Sequence, residues 1–208
     1  MPTPNFDLYL VTDRSRTRGR DLLWVVEQAL AGGVKAVQLR EKDLGGKELF
    51  DFAEKARALC DRYDAALFIN DRVDVALAVD AAGVQLGKAS LPLQIARLLL
   101  GSQKFIGYSI HSVEEGQQAK PLGADFVLFG PVYYTPSKAS FGAPQGLAAL
   151  KKTVENLALP VYAIGGVTVE NANEVKTVGA RGVALISAIV SAKNPRDAAQ
   201  KMVRVLRR

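Results

Sequence analysis

A short apolar run followed by a longer stretch of helical period recurs eight times along this chain. That alternation limits the folds open to it more than any other feature. The strand candidates are Leu8–Val11, Ala36–Arg40, Ala66–Asn70, Gly83–Leu86, Phe105–Ser109, Phe126–Phe129, Val161–Gly165 and Gly182–Ile186. Several are almost unbroken apolar runs, as in Phe126-Val127-Leu128-Phe129, which suits strands buried on both faces of a parallel sheet. Eight βα units of about 25 residues each use up the 208 residues with no insert left over. The expected architecture is a compact α/β (β/α)8 TIM barrel occupying residues 1–208 as one domain. An open doubly wound sheet is the second choice, disfavoured by the regularity of the units.

The segments between strands carry helical signals. Leu22–Leu30 is followed by the stop signal Gly32-Gly33, and Lys47–Tyr63 places Leu49, Phe50, Phe52, Ala53, Ala56 and Leu59 near the helical period. Gly123-Ala124-Asp125 and Gly179-Ala180-Arg181 have the composition of short αβ turns, and Gly130–Gly146 is expected as one long loop after the sixth strand. The hydrophobic fraction of 49% suffices for a sizeable core. Cys60, the single cysteine, sits within a helical pattern and is expected to be a buried small hydrophobe rather than a nucleophile. No apolar run approaches the roughly 18 residues of a membrane helix, and the polar start of the chain lacks the form of a signal peptide, so a cytoplasmic location off the membrane is expected. The net charge of +6 is spread along the chain without aromatic interleaving, which argues against nucleic acid and for small anionic ligands. Self-association into a homo-oligomer is left open.

In a barrel of this kind chemistry gathers at the C-terminal ends of the strands. Those ends read Thr12-Asp13-Arg14, Gln38-Leu39-Arg40-Glu41-Lys42, Asn70-Asp71, Gln85-Leu86-Gly87-Lys88, Ser109-Ile110-His111, the loop containing Thr135-Pro136-Ser137-Lys138, Gly165-Gly166 and Ile186-Ser187. Arg40, Lys42, Lys88 and Lys138 are candidates to converge on an anionic ligand; the alternative is that Glu41, Asp43 or Asp71 neutralises some of them. Gly165-Gly166, expected to open a helix at Val167, and Ile186-Ser187 fit the phosphate site that loops 7 and 8 of such barrels form from backbone amides. On that expectation Gly166→Val blocks ligand binding and leaves the fold intact. Asn70-Asp71 is the best magnesium candidate, with capping of the helix Arg72–Val79 as the alternative role. His111 is the only histidine, which excludes a multi-histidine metal centre and favours a structural or substrate-positioning role for it.

Taken together, Gln38-Leu39-Arg40-Glu41-Lys42, Asn70-Asp71, Gly130-Pro131-Val132-Tyr133, Thr135-Pro136-Ser137-Lys138 and Ile164-Gly165-Gly166-Val167-Thr168 resemble, in order, the motifs of the thiamine-phosphate synthases. The resemblance implies a transferase that couples hydroxymethylpyrimidine diphosphate to thiazole phosphate with release of pyrophosphate. It implies Gln38, Arg40, Lys42, Asn70 and Lys138 at the pyrimidine diphosphate, with Arg40, Lys42 and Lys138 as the catalytic cations. It also implies Asp71 on Mg2+, Thr135 and Ser137 at the thiazole phosphate or pyrophosphate, and Gly166, Ile186 and Ser187 around the thiazole phosphate. Ser109, at the end of the fifth strand, joins the substrate-binding set. One departure stands out. The family pattern Gly-Gln-x-Asp, whose Asp is a second magnesium ligand, reads Gly87-Lys88-Ala89-Ser90 here, and no Asp or Glu occurs from Ala81 to Val113. Ser109–Glu115 and Val127–Gly130 also resemble the thiazole tautomerases of the same superfamily, but the catalytic histidine of that group is replaced by Pro131. A tautomerase-like enzyme and a non-catalytic binder of thiazole phosphate or thiamine phosphate are the alternatives.

Overall fold

The structure, a computed structural model, describes residues 4–136 and 143–207. Eight parallel strands close into a barrel in sequence order. They are β1 (Leu8–Val11), β2 (Ala36–Leu39), β3 (Ala66–Asn70), β4 (Gly83–Leu86), β5 (Phe105–Ile110), β6 (Phe126–Phe129), β7 (Val161–Ile164) and β8 (Gly182–Leu185). The helices between and after them are α1 (Leu22–Ala31), α2 (Gly46–Arg62), α3 (Val73–Ala78), α4 (Leu93–Leu100), α5 (Val113–Ala119), α6 (Gly146–Asn156), α7 (Ala172–Thr177), the single turn α8 (Ser187–Val190) and α9 (Pro195–Leu206). Closure is made by β8 on β1, with Leu10 opposite Leu185. The open doubly wound alternative is thereby excluded. Among the described residues no helix is long and apolar enough to cross a membrane.

The two faces of each strand bury into different cores, as a period of two requires. Outward residues such as Leu8, Leu10, Val37, Leu39, Leu67 and Ile69 pack with the helical ring. Inward residues fill the barrel in layers. The lower layer, toward the strand N-termini, is aromatic: Phe6, Tyr9, Phe68, Phe126 and Tyr162 lie in one buried cluster, flanked by Phe105. Phe6 stacks on Tyr162 with centroids 4.9 Å apart, and Phe68 meets Phe126 edge-on at 5.6 Å, both favourable ring geometries. The αβ turns secure this end. Asp125 accepts from Arg97 at 2.5 Å and from the Ile106 N–H at 2.7 Å, while Arg181 pairs with Asp7.

Two local expectations are corrected. Helix α3 starts at Val73 with Arg72 as its N-cap and no side-chain cap, so neither Asn70 nor Asp71 caps it. Helix α7 starts at Ala172, five residues later than expected from the glycine pair. The intervening turn is held by Asn171, whose Oδ1 accepts from Thr168 N–H at 2.8 Å and whose Nδ2 donates to Gly166 O at 3.1 Å. A side chain that satisfies the turn competes with helix propagation.

Candidate active site at the C-terminal rim

Above the aromatic layer the barrel interior is divided. On the arc from β2 to β5, the alternation that turns Ala36, Phe68 and Phe105 inward also turns Gln38, Asn70 and Ser109 inward, with Gln85 joining them from β4. On the arc from β6 round to β1 the same layer holds Leu128, Ile164, Ile186 and Val11. Gln38 and Gln85 are each only 2% exposed. Gln85 Nε2 donates to Ser109 Oγ at 3.1 Å; among the described residues Gln85 Oε1 has no hydrogen-bond partner, and Gln38 Nε2, which faces the buried Tyr9 hydroxyl, makes no well-formed hydrogen bond. A buried amide left half-satisfied costs about 1–3 kcal/mol, so such groups call for a specific reason. Here they sit at the layer beneath the mouth of the barrel. Gly107 on β5 makes the room: a side chain there would collide with Gln85 Oε1 and with the Phe126 ring.

Among the described residues, the rim cations Arg40, Lys42 and Lys88 stand without acids to neutralise them. Glu41, next to Arg40, is 6% exposed; its carboxylate accepts from Thr12 Oγ1 at 2.6 Å and from Arg14 N–H at 3.0 Å. Burial pushes the Glu41 carboxyl pKa up, partly opposed by those two hydrogen bonds. The Thr12 hydroxyl oxygen also accepts from Arg40 N–H at 2.9 Å, fixing the backbone where β2 ends. Asp43 is taken by Arg14 at 2.6 Å, which holds its carboxyl below the usual range. Among the described residues Arg40, Lys42 and Lys88 form no ion pair. The alternative in which Glu41, Asp43 or Asp71 neutralises these three does not hold.

Asp71 lies just past β3 with φ +60°, a conformation that Asp adopts more readily than most residues. Its Oδ2 accepts from Asn70 Nδ2 at 2.7 Å, and its Oδ1 accepts from the Ser90 hydroxyl. Among the described residues no three His, Cys, Asp or Glu side chains gather as a metal site. The donor set therefore fits a two-carboxylate magnesium site poorly: one carboxylate is present, and neutral donors of its own chain engage both of its oxygens.

The other half of the rim is built from backbone. The β7–β8 register pairs Ile164 with Ala184, which, carried two residues on, sets Gly166 beside Ile186. Gly165 and Gly166 have φ of +92° and +67°. The amide N–H groups of Gly166, Val167, Ser187 and Ala188 make no hydrogen bond to the described chain, as an anion-binding corner requires. Loop 6 lies against this corner, with Val132 N–H donating to Ile164 O at 2.9 Å and Tyr133 N–H donating to Gly165 O at 3.0 Å. A Cβ at Gly166 would lie 2.5 Å from Tyr134 O and 2.7 Å from Tyr133 Cβ. The expectation that Gly166→Val spares the fold is thus corrected: the substitution must displace loop 6 as well as any ligand. Thr135 is half-buried in that loop. Ser137 and Lys138 lie outside the described residues.

His111 Nδ1 bonds Gly130 O at 2.6 Å, and its main-chain N–H donates to Glu115 at 2.6 Å, so the histidine ties loop 5 to loop 6. That agrees with a structural or positioning role. Cys60 is buried, and burial pushes its thiol up to about 12, which makes it unreactive. The strand-end reading names Thr12 and Gln85 without giving either a role, and names Glu41 only as a possible partner of the rim cations. The period of two through Gly83, Gln85 and Gly87 was the available signal for Gln85; nothing local signalled the pairing of Thr12 with Glu41, 29 residues away.

Comparison with known proteins agrees with this geometry. The family model described as thiamine monophosphate synthase matches residues 8–189. A putative thiamine-phosphate synthase of Geobacter sulfurreducens is 50% identical over 99% of this chain and 97% of its own length. The thiamine-phosphate synthase of Syntrophomonas wolfei is 42% identical over the full length of both. The solved structure of a thiamine phosphate pyrophosphorylase from Pyrococcus furiosus superimposes with a TM-score of 0.89 at 38% identity, covering 97% of this chain and 96% of that one. The chain belongs to the thiamine monophosphate synthase family.

Proposed function

We propose that this chain is a thiamine-phosphate synthase, a transferase that joins the methylene carbon of a pyrimidine diphosphate to the nitrogen of a thiazole phosphate and releases pyrophosphate. The observation that carries the reading is the divided upper layer. Buried amides at Gln38 and Gln85, each with an atom lacking a partner among the described residues, lie on one arc beneath the unpaired cations Arg40 and Lys42, and an amide-lined corner lies on the other. Two phosphorylated rings placed on the two arcs meet over the barrel axis. Gln38, Asn70 and the Gln85–Ser109 pair orient the pyrimidine. Arg40 and Lys42, with Lys138 from loop 6, receive the diphosphate; charge that grows on its departing oxygen is met by donors already fixed in place. Gly166, Ile186 and Ser187 hold the thiazole phosphate, with Thr135 and Ser137 from loop 6 beside it. Magnesium, which family membership implies, has Asp71 as its one carboxylate here. No side chain need move a proton for the coupling, in keeping with a lone histidine whose Nδ1 is already engaged.

The tautomerase-like reading requires a proton-transfer group where this chain has Pro131, which offers none. The test is incubation of the pure protein with both substrates. Pyrophosphate and thiamine phosphate should appear only when both are present, and Arg40→Ala should lower turnover by about 100-fold or more while the melting temperature holds. Absence of pyrophosphate release at every magnesium concentration would sink the proposal. Isomerisation of the thiazole carboxylate phosphate alone would transfer support to the tautomerase.

A further inference from the structure

Resting on that coupling reaction, a second question is what neutralises the diphosphate when Asp71 is the one carboxylate at the candidate metal position and Glu41 and Asp43 are engaged by Thr12 and Arg14. Residues 87–90, after β4, close a turn: Ser90 N–H donates to Gly87 O at 2.9 Å, and Gly87 N–H donates to Ser90 Oγ at 2.7 Å. The Ser90 hydroxyl then donates to Asp71 Oδ1, so the turn is fastened to the end of β3. With Asn70 on its other oxygen, Asp71 is already satisfied by neutral donors. The run from Ala81 to Val113 contains no Asp or Glu that could supply a second carboxylate. Lys88 occupies the second position of the fastened turn, is exposed, and forms no ion pair among the described residues. Its backbone is therefore anchored at the rim while its ammonium stays free. A cation there repels a divalent ion and attracts a diphosphate, and lysine binds phosphate well as a point charge.

We infer that Lys88 takes the charge-neutralising place of a carboxylate-held divalent ion, and that Arg40, Lys42 and Lys88 form a diphosphate site that works without metal. During coupling the bond from the methylene carbon to the diphosphate oxygen breaks, and its electron pair goes to that oxygen. The carbon forms its new bond with the electron pair of the thiazole nitrogen. Lys88 keeps its proton throughout and acts as a fixed positive charge.

The measurement is calorimetric titration of the full chain with inorganic pyrophosphate, in EDTA and in millimolar magnesium. Wild type should bind in EDTA, and magnesium should not tighten binding, because the site already holds its cation and magnesium in solution competes with it for the pyrophosphate. Lys88→Gln should weaken binding in EDTA by about tenfold or more, whereas Lys88→Arg, which keeps the charge, should stay within about threefold of wild type. Binding by wild type only when magnesium is present overturns the inference, as does equal affinity in Lys88→Gln and wild type. These readouts involve no turnover, so a chain that binds pyrophosphate in this pattern yet makes no thiamine phosphate would leave the inference standing and refute the synthase reading alone.

Discussion

The two ends of the barrel interior are built from the same eight strands and could hardly differ more. The lower layer is a cluster of aromatic rings, with Tyr9, Phe68, Phe126 and Tyr162 all fully buried. The layer above carries Gln38, Asn70, Gln85 and Ser109 on one arc, beneath the cations Arg40, Lys42 and Lys88; among the described residues two of the four have unpartnered buried atoms and these cations have no acid to pair with. Apolar packing at one end offsets the cost of an unsatisfied, self-repelling polar surface at the other. Strand polarity makes the division possible, since every strand delivers its N-terminal half to the first layer and its C-terminal half to the second. The lower end is packed for stability; on the proposed function the upper end is kept for substrate.

That contrast can be broken from below. Phe126→Ala removes the ring that contacts Phe6, Tyr9, Phe68 and Tyr162, and should destabilise the protein by about 3–5 kcal/mol in urea titration. A loss under 1 kcal/mol would mean that the lower layer is not the stability element described. A smaller effect of opposite sign is expected above. Gln38→Met replaces a buried amide whose nitrogen makes no well-formed hydrogen bond among the described residues, and should raise stability by about 1 kcal/mol while weakening the pyrimidine substrate. If stability falls instead, the amide is satisfied within the folded chain and is not reserved for a ligand.

The smallest effect concerns pH. Burial raises the Glu41 carboxyl above its ordinary 4.5, so the folded protein binds a proton more tightly there than the unfolded chain does. Its contribution to stability is full below that value and is lost as pH rises through the raised folded pKa. In Glu41→Gln this loss should disappear. Parallel stability curves for wild type and variant across the weakly acidic range would show that the Thr12 and Arg14 hydrogen bonds outweigh desolvation.

Most of the fold was legible in the chain because a barrel strand leaves a local trace. All eight expected strands start where the observed ones do and end within one residue of them, for a simple reason: the runs are bounded by polar or glycine residues, as at Gly182 and Asn70. Local signals were weaker where a side chain competes with the backbone. Asn171 holds the turn that delays α7, and Asp71 spends its carboxylate on Asn70 and Ser90 rather than on a helix cap.

The sequence by itself determined the barrel, the strand-end positions of Gln38, Arg40, Lys42, Asn70 and Asp71, and the absence of Asp and Glu from Ala81 to Val113. Each of these depends on residue type at a strand end, which is local information. The tertiary structure alone decided which charges remain free. Thr12 and Arg14 on the loop after β1 take up Glu41 and Asp43 from the loop after β2, and Ser90 after β4 reaches Asp71 after β3. Such pairings join residues 19 to 29 positions apart and exist only once neighbouring strands are set side by side in register. Whether a rim cation is neutralised or available to a ligand depends on what lies within a few ångströms of it, and that distance is fixed by closure of the barrel.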